Sequence, residues 1–196
     1  MIIGITGNSG SGKTAAAEML KEKLQCYLID ADDVQKELSK KGHEYYNGIV
    51  AVFGETILDE NQEIVRQKLA EIIYNNPNKR ELLNDLTNIY IVDAIKRQVD
   101  GLPRKSTIIV DVPRLVECGL GPMCDVIIAV LAEREIKLDR ICKRDNIDRE
   151  TAEKRLDIQQ DDQFYVDNSD YVIENNDDNL EEKVDGIIAK MDRSNK

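Results

Sequence analysis

The fold of this chain is decided by residues 2–14, which read IIGITGNSGSGKT. Residues 2–6 are apolar and β-branched, and apolar side chains recur at helical spacing after residue 14, so the segment predicts a strand, a glycine loop and a helix. The loop matches the phosphate-binding pattern G-x-x-x-x-G-K-[ST]. Its glycines permit positive φ angles that turn backbone N–H groups towards a polyphosphate, and the helix start adds more donors. We therefore predict a nucleotide-binding loop.

The predicted nucleotide-binding residues are those of the loop itself: Gly7, Asn8, Ser9, Gly10, Ser11, Gly12, Lys13 and Thr14. Lys13 is expected to reach the β- and γ-phosphates, and the Thr14 hydroxyl is expected to ligate Mg²⁺. A glycine-rich turn without any ligand is the alternative. The strand before the loop and the helix after it favour nucleotide binding.

The composition excludes several other classes of function. The 27 lysines and arginines against 38 aspartates and glutamates give a net charge of −11, which disfavours nucleic acid as a partner. No apolar run approaches the length of a membrane span, and no signal peptide is evident. The four cysteines form no C-x-x-C pair and His43 is the single histidine, so a zinc site and Ser-His-Asp catalysis are not expected. We predict a cytoplasmic protein with free thiols and no membrane partner.

Strands alternate with helices along the chain, which predicts an α/β fold with three layers and a five-stranded parallel sheet. The strands are expected at residues 2–6, 26–29, 107–112, 126–131 and 171–173. We expect a single domain with its core at about 1–31, 106–132 and 166–196, a helical substrate-binding region at about 32–105 and a helical lid at about 133–165. Residues 42–100 are expected to be helical throughout, residues 149–164 to form one helix, and the tail from residue 192 to fray.

Three aspartates fall where predicted strands end, at the sheet edge that binds ligands in open α/β folds. Asp30 and Asp32 follow the second strand and are candidates for orienting Mg²⁺ or for accepting a proton from a hydroxyl group. Asp111 ends the third strand and is a candidate for holding Mg²⁺ through water. The alternatives are ordinary ones: Asp30 or Asp32 caps the next helix, or Asp111 binds loop amides.

A second candidate feature is a row of cations in the predicted lid. Arg134, Lys137, Arg140 and Arg144 are spaced 3, 3 and 4 residues apart and so share one helix face. Lowered onto a transferring phosphoryl group, such arginines accelerate phosphoryl transfer by about 10³–10⁵. Arg149 and Arg155 are candidates to join them. The alternative is a solvated face in which Glu133 and Asp139 pair with lysines one turn away.

Taken in order, these motifs resemble those of the dephospho-CoA kinases over nearly the whole chain. The matching positions are the loop at Gly7, I-D-A-D at 29–32, F-G at 53–54, I-L at 57–58, Arg66, Arg80, L-N at 83–84, L-T at 86–87, Pro113, Leu115, Glu117, Arg140, R-D at 144–145, Arg155, Gln159 and D-Y-V-I-E-N at 170–175.

The resemblance implies a P-loop kinase fold and a reaction in which MgATP phosphorylates the ribose 3′-hydroxyl of dephospho-CoA. It implies that Lys13, Asp32, Arg140 and Arg144 are catalytic, and that Arg140 and Asn175 join the loop in binding ATP. Together with the strand-end positions of the aspartates, it assigns Mg²⁺ to three residues and the acceptor to six. The metal residues are Thr14, Asp30 and Asp111, and the acceptor residues are Asp32, Arg66, Thr87, Asn88, Pro113 and Leu115.

The chain departs from the family pattern at three places. Asn8-Ser9 replaces Gly-Ile in the loop, Thr87-Asn88-Ile89 replaces Thr-His-Pro, and P-R-L-V-E at 113–117 replaces P-L-L-F-E. The changes fall mostly on the acceptor side. Two alternatives therefore remain: a kinase for a nucleoside or another small metabolite, whose loop resembles that of uridine kinases, and a regulator that binds ATP without transferring phosphate.

Overall fold

The protein is described by a computed structural model, in which residues 1–194 are placed. The chain divides into two compact units. Met1–Ile29 and the chain from Pro103 onward form one, which we call the sheet unit, and Asp30–Leu102 forms the other, the helical unit.

The sheet unit is built on a five-stranded parallel sheet, as predicted. The strands are β1 (Ile2–Thr6), β2 (Tyr27–Asp30), β3 (Ile108–Asp111), β4 (Val126–Leu131) and β5 (Tyr171–Glu174). Their order across the sheet is β2-β3-β1-β4-β5. β1 therefore lies at the centre, and the loop that follows it emerges between β3 and β4.

Helices cover both faces of this sheet because its central strands are apolar on both sides. Ile128 and Val130 of β4 belong to a core that includes α1 (Lys13–Leu24) and α9 (Leu180–Ser194). The alternate residues Ala129 and Leu131 point the other way and pack with Tyr165 of α8 (Asp162–Asp167). This alternation produces the predicted α/β/α layering.

The predicted lid contains three helices where two were expected. α6 (Arg134–Asp145) and α7 (Arg149–Asp157) are followed by a break before α8. The prediction of one helix over residues 149–164 was wrong because the Asp161 carboxylate accepts a hydrogen bond from the Phe164 N–H and so starts a new helix. The two aspartates that precede Phe164 were the available sequence signal for this helix start.

The helical unit contains α2 (Ala31–Leu38), α3 (Glu44–Phe53), α4 (Arg66–Asn75) and α5 (Pro77–Gly101). α5 contacts each of the other three helices. It starts at Pro77 because Asn76 accepts a hydrogen bond from the Lys79 N–H and proline suits the first turn of a helix.

Residues 42–100 are not helical throughout, which corrects the prediction. The chain leaves α3 at Gly54, whose φ of +81° suits glycine, and forms a short 3₁₀ turn at Glu55–Ile57 and an antiparallel bridge between Leu58 and Ile64. Asp59 holds the intervening turn by accepting hydrogen bonds from two backbone N–H groups.

α9 continues through Ser194, so fraying from residue 192 is not observed within the described chain. That prediction also covers residues 195–196, which lie outside the described residues. Within residues 1–194, none of the helices combines the length and apolar character that a bilayer crossing requires.

Candidate functional site

The glycine loop joins the end of β1 to the start of α1 in a conformation that only glycine supports at its last turn. Gly12 precedes α1 with a φ of +96°. A Cβ added there would lie 2.1 Å from the Asn175 Nδ2 atom, so both the backbone conformation and the space exclude a side chain. Asn175, which follows β5, is 5% exposed, and its Nδ2 donates a 2.8 Å hydrogen bond to the Ser11 carbonyl oxygen. It thus holds the loop from beneath.

Lys13 is buried at the first position of α1. The residue is only 8% exposed, and its Nζ donates to the Asn8 carbonyl oxygen at 3.0 Å. An ammonium group folded back along the loop in this way is already placed among the backbone N–H groups of the phosphate-binding pattern. Two buried polar atoms of the loop, Asn8 Oδ1 and Ser11 Oγ, have no hydrogen-bond partner among residues 1–194.

Thr14 and Asp111 meet beside the loop. The Thr14 Oγ1 donates to the Asp111 Oδ2 at 3.4 Å, and Asp111 is 3% exposed. A hydroxyl and a carboxylate oxygen are the donors that Mg²⁺ prefers, and the ion commonly takes only one or two protein ligands beside phosphates and water. The pair fits such an ion, although no cluster of three or more His, Cys, Asp or Glu side chains exists in the part of the chain that is described.

Two lid arginines reach the loop. Arg140 Nη1 donates to the carbonyl oxygens of Gly10 and Ser11 at 3.3 and 3.4 Å, and Arg144 Nη2 donates to the Ser9 Oγ at 3.2 Å. They border a cavity of about 620 Å³. Its lining consists of Gly10, Gly12, Lys13, Thr14, Arg140, Lys143 and Arg144. The predicted phosphate-binding lysine and both predicted catalytic arginines therefore share one space.

The other two cations of the predicted row are used elsewhere. Lys137 is 6% exposed and pairs with Asp162 at 2.8 Å, and Arg134 pairs with Asp157 at 2.7 Å. These contacts between lid helices replace the pairing within α6 that the sequence left open. Lys137 and Arg134 thus stabilise the lid internally and do not face the loop.

Asp145 organises the end of α6. Both of its oxygens accept hydrogen bonds from Arg144, at 2.8 and 2.9 Å, and it also binds Arg155. The hydrogen bond from Arg144, with the charges of both arginines, lowers the pKa of the Asp145 carboxyl group. Arg155 therefore acts on the site through Asp145. Arg149 is paired with Glu135 and Glu153.

Asp30 and Asp32 lie where the helical unit begins. The Asp30 carboxylate caps α2 by accepting a 2.7 Å hydrogen bond from the Asp32 N–H, which is the ordinary role considered for it. Burial raises the pKa of Asp30. Asp32 is in the first turn of α2 with its side chain exposed. Its carboxylate is accessible to a ligand at the carboxyl end of β2.

Besides Asp32, three predicted acceptor residues belong to the helical unit. Arg66 begins α4 and lines a cavity of about 370 Å³. Thr87 is part of a network in which its hydroxyl donates to the Leu83 carbonyl and meets the Tyr45 hydroxyl at 3.0 Å. Asn88 has a buried Oδ1 with no partner in the described chain.

The remaining two acceptor candidates follow β3 in the sheet unit. The Pro113 carbonyl accepts a hydrogen bond from the Thr6 Oγ1 at 3.2 Å. Leu115 is fully buried against Gly4 of β1, so its side chain packs beneath the strand and does not reach a ligand. Of these two residues, only Pro113 therefore remains a candidate for acceptor binding.

The break between α7 and α8 contacts the loop, and the sequence did not indicate this. The Gln159 Oε1 accepts a 2.8 Å hydrogen bond from the Ser9 N–H, and the Gln160 carbonyl accepts a 2.9 Å hydrogen bond from the Asn8 Nδ2. Gln159 was recognised only as a motif position. Because it was assigned to a continuous helix, no pattern indicated that its neighbourhood meets the loop.

Comparison with known proteins agrees with this geometry. A family model described as dephospho-CoA kinase matches residues 1–181. A dephospho-CoA kinase of Fusobacterium nucleatum subsp. nucleatum is 40% identical over 196 residues, which cover 98% of this chain and 96% of the relative.

Solved structures share the fold. TT1252 from Thermus thermophilus superposes with a TM-score of 0.78 at 22% identity, covering 97% of both chains. A dephospho-CoA kinase from Campylobacter jejuni gives a TM-score of 0.67 at 22% identity, covering 100% of this chain and 98% of that one. The similarity extends over both units, and the fold is that of the P-loop kinases.

Proposed function

The chain belongs to the dephospho-CoA kinase family, and on that premise we propose which of its residues carry each part of the reaction. As a member of that family it is a kinase that uses ATP and transfers phosphate to the 3′-hydroxyl of dephospho-CoA, giving CoA and ADP. The alternatives of a nucleoside kinase and of a non-catalytic regulator are not favoured, because the family match also spans the helical unit.

The observation that carries the assignment of residues is the common cavity of the loop, Lys13, Arg140 and Arg144. The loop N–H groups and the start of α1 bind the β- and γ-phosphates of ATP, and Lys13 neutralises their charge. Arg140 and Arg144 stabilise the charge that spreads over the transferring phosphoryl group. Asn175 supports this arrangement by fixing the Ser11 carbonyl, rather than by touching the adenine.

Thr14 and Asp111 are the residues that would hold Mg²⁺, whereas the carboxylate of the other candidate, Asp30, is taken up by the cap of α2. The ion supplies charge neutralisation for the phosphates when it is bound. Asp111 additionally orients the Thr14 hydroxyl through their hydrogen bond. In this role Asp111 is a buried strand-end acid that faces the phosphate loop.

Asp32 orients the acceptor hydroxyl and accepts its proton as the new O–P bond forms. Its exposed carboxylate at the carboxyl end of β2 supports this role, because that edge of an open α/β sheet binds ligands. Asp30, whose carboxylate is committed to the cap of α2, positions the turn that carries Asp32.

The acceptor-binding residues that we propose lie mainly in the helical unit, and Pro113, which follows β3, is a separate candidate. The cavity beside Arg66 has an apolar floor that includes Ile49, Leu69 and Leu83, and its rim carries Lys36 and Lys40. A long substrate with both phosphates and an apolar arm fits such a lining. Thr87 shapes the unit through Tyr45, and Asn88, whose buried Oδ1 has no partner among residues 1–194, stays an acceptor-side candidate.

We propose that the reaction takes place in the cytoplasm. A small phosphorylated substrate needs only the local cations described above, so the net charge of −11 is compatible with this function and disfavours nucleic acid as a partner.

The decisive experiment measures phosphate transfer from MgATP to dephospho-CoA and to a panel of nucleosides. We expect transfer to dephospho-CoA, with kcat lowered about 10²–10³-fold in Lys13→Ala because a preorganised donor to the phosphoryl oxygens is lost. Lys21→Ala, which removes a lysine from the opposite end of the same helix, serves as the control for loss of charge. Strong turnover of a nucleoside with none of dephospho-CoA would overturn the assignment.

A further inference from the structure

Two loop side chains, Asn8 and Ser9, contact the lid segment, residues 133–165. The Asn8 Nδ2 donates to the Gln160 carbonyl at 2.9 Å, and the Ser9 Oγ accepts from the Arg144 Nη2 at 3.2 Å. Both contacts require a polar side chain on the loop. The Gly-Ile pair of the family pattern at these two positions offers neither a donor nor an acceptor side chain.

The surroundings fix both contacts in place. Asn8 is 4% exposed, and the reversed amide orientation would set its Oδ1 against the Gln160 carbonyl oxygen. Between the two contacts, the Ser9 N–H donates to the Gln159 Oε1, while the Gln159 Nε2 donates to the Arg155 carbonyl. The Arg144 guanidinium also donates to Asp145, through Nε and through the same Nη2 atom that reaches Ser9.

We propose that the Asn8 and Ser9 side chains are positioning residues that fasten the lid segment to the phosphate loop and hold the Arg144 guanidinium beside it. Asn8 fastens the break between α7 and α8, and Ser9 fixes the arginine directly. The consequence for catalysis rests on the proposed role of Arg144 in phosphoryl transfer, whereas the fastening itself does not.

Hydrogen exchange of the nucleotide-free protein tests the fastening. We expect Ser9→Ala and Asn8→Ala each to speed exchange of the lid amides at residues 144–161 by roughly three- to tenfold, as lost hydrogen bonds of this kind imply. Lys154→Gln is the matched control with exchange expected as in wild type, because it breaks an exposed ion pair within α7 that joins neither the loop nor another lid helix. Exchange unchanged from wild type in a folded Ser9→Ala protein overturns the proposal.

Kinetics test the positioning. Ser9→Ala is expected to lower kcat about three- to tenfold and to change the KM for ATP by less than about twofold, because the lost contact acts through Arg144 on the transition state. Ser9→Thr should restore kcat. In an Arg144→Ala background, Ser9→Ala should have no further effect on kcat.

An unchanged kcat in Ser9→Ala, or a full additional loss in the Arg144→Ala background, contradicts positioning through the arginine. If wild type instead fails to phosphorylate dephospho-CoA, the proposed function fails, and the exchange measurement still decides whether the lid is fastened.

Discussion

The sheet unit and the helical unit use their polar side chains differently. Around the loop in the sheet unit, Lys13, Arg140, Arg144 and Asn175 are each tied to named backbone or side-chain atoms. In the helical unit, Arg66 lines an open cavity and has no hydrogen bond or ion pair within the described chain. The sheet unit thus holds the groups that we propose as catalytic in place before a ligand arrives.

This difference has a chemical reason. A phosphoryl transition state is stabilised by groups whose positions are fixed in advance, because reorienting dipoles during the reaction costs free energy. An acceptor site must bind a long flexible substrate, for which a lined cavity with cations at its rim suffices. Changes in the sheet unit should therefore lower kcat, and changes in the helical unit should raise the KM for the acceptor.

The largest expected effect tests the sheet side of this contrast. Arg140→Ala should lower kcat by about 10³-fold, since an arginine acting on the transferring phosphoryl group contributes that much or more. Arg140→Lys keeps the charge but loses the planar guanidinium, whose Nη1 reaches the Gly10 and Ser11 carbonyl oxygens, so its kcat should fall less than that of Arg140→Ala. Steady-state rates with saturating dephospho-CoA give both values. A loss below tenfold in Arg140→Ala would show that the fixed geometry does not serve the chemistry.

A second test concerns Asp32 in the first turn of the helical unit, which we propose acts both in catalysis and in acceptor binding. Asp32→Asn should lower kcat about 10²-fold because proton transfer from the acceptor hydroxyl is lost. Asp33→Asn removes a neighbouring exposed carboxylate from the same turn of α2 and should stay close to wild type. Equal activities for the two variants, measured by ADP release, would remove Asp32 from the catalytic residues.

The third test addresses the cavity of the helical unit. Arg66→Gln should raise the KM for dephospho-CoA roughly tenfold, as loss of a charged hydrogen bond implies, with kcat changed far less. Arg97→Gln removes an arginine from α5 whose side chain is 79% exposed, and serves as the control. If Arg66→Gln lowered kcat instead and left KM alone, the division of labour between the units would be wrong.

The sequence predicted the parts of the molecule that depend on local patterns. The strands and the loop follow from β-branched runs and from glycine spacing, and the start of α5 follows from Asn76-Pro77. Asn175 is expected from the sequence to take part in ATP binding, and the structure bonds its side chain to the Ser11 carbonyl. Its contact with Ser11 joins residues 164 positions apart, and no periodicity encodes such a pairing.

The lid shows the same limit more clearly. The spacing of its four cations correctly placed them on one helix, but two of them pair with acids of α7 and α8. Which cation meets the loop depends on how the helices pack, and the break at residues 158–161 that permits this packing is capped by a single aspartate. The helical spacing therefore identified the candidate cations but could not tell which of them contact the loop.

The smallest effect is expected in a test of how much the fixed ion pairs of the sheet unit contribute to stability. Arg144, and also Arg155, lowers the pKa of Asp145, so the carboxylate stabilises the folded state above its unfolded pKa of about 3.9 and loses that contribution as pH falls through the lower folded value. The Tm of Asp145→Asn should therefore lie below that of wild type near neutral pH, and the gap should narrow as the solution is acidified below about pH 4. Asp139→Asn, which removes a carboxylate 81% exposed from the same helix, should show little difference from wild type at either pH. A gap for Asp145→Asn that stays constant with pH would mean that its charge does not hold the two arginines, and that the fixed geometry of the lid has another origin.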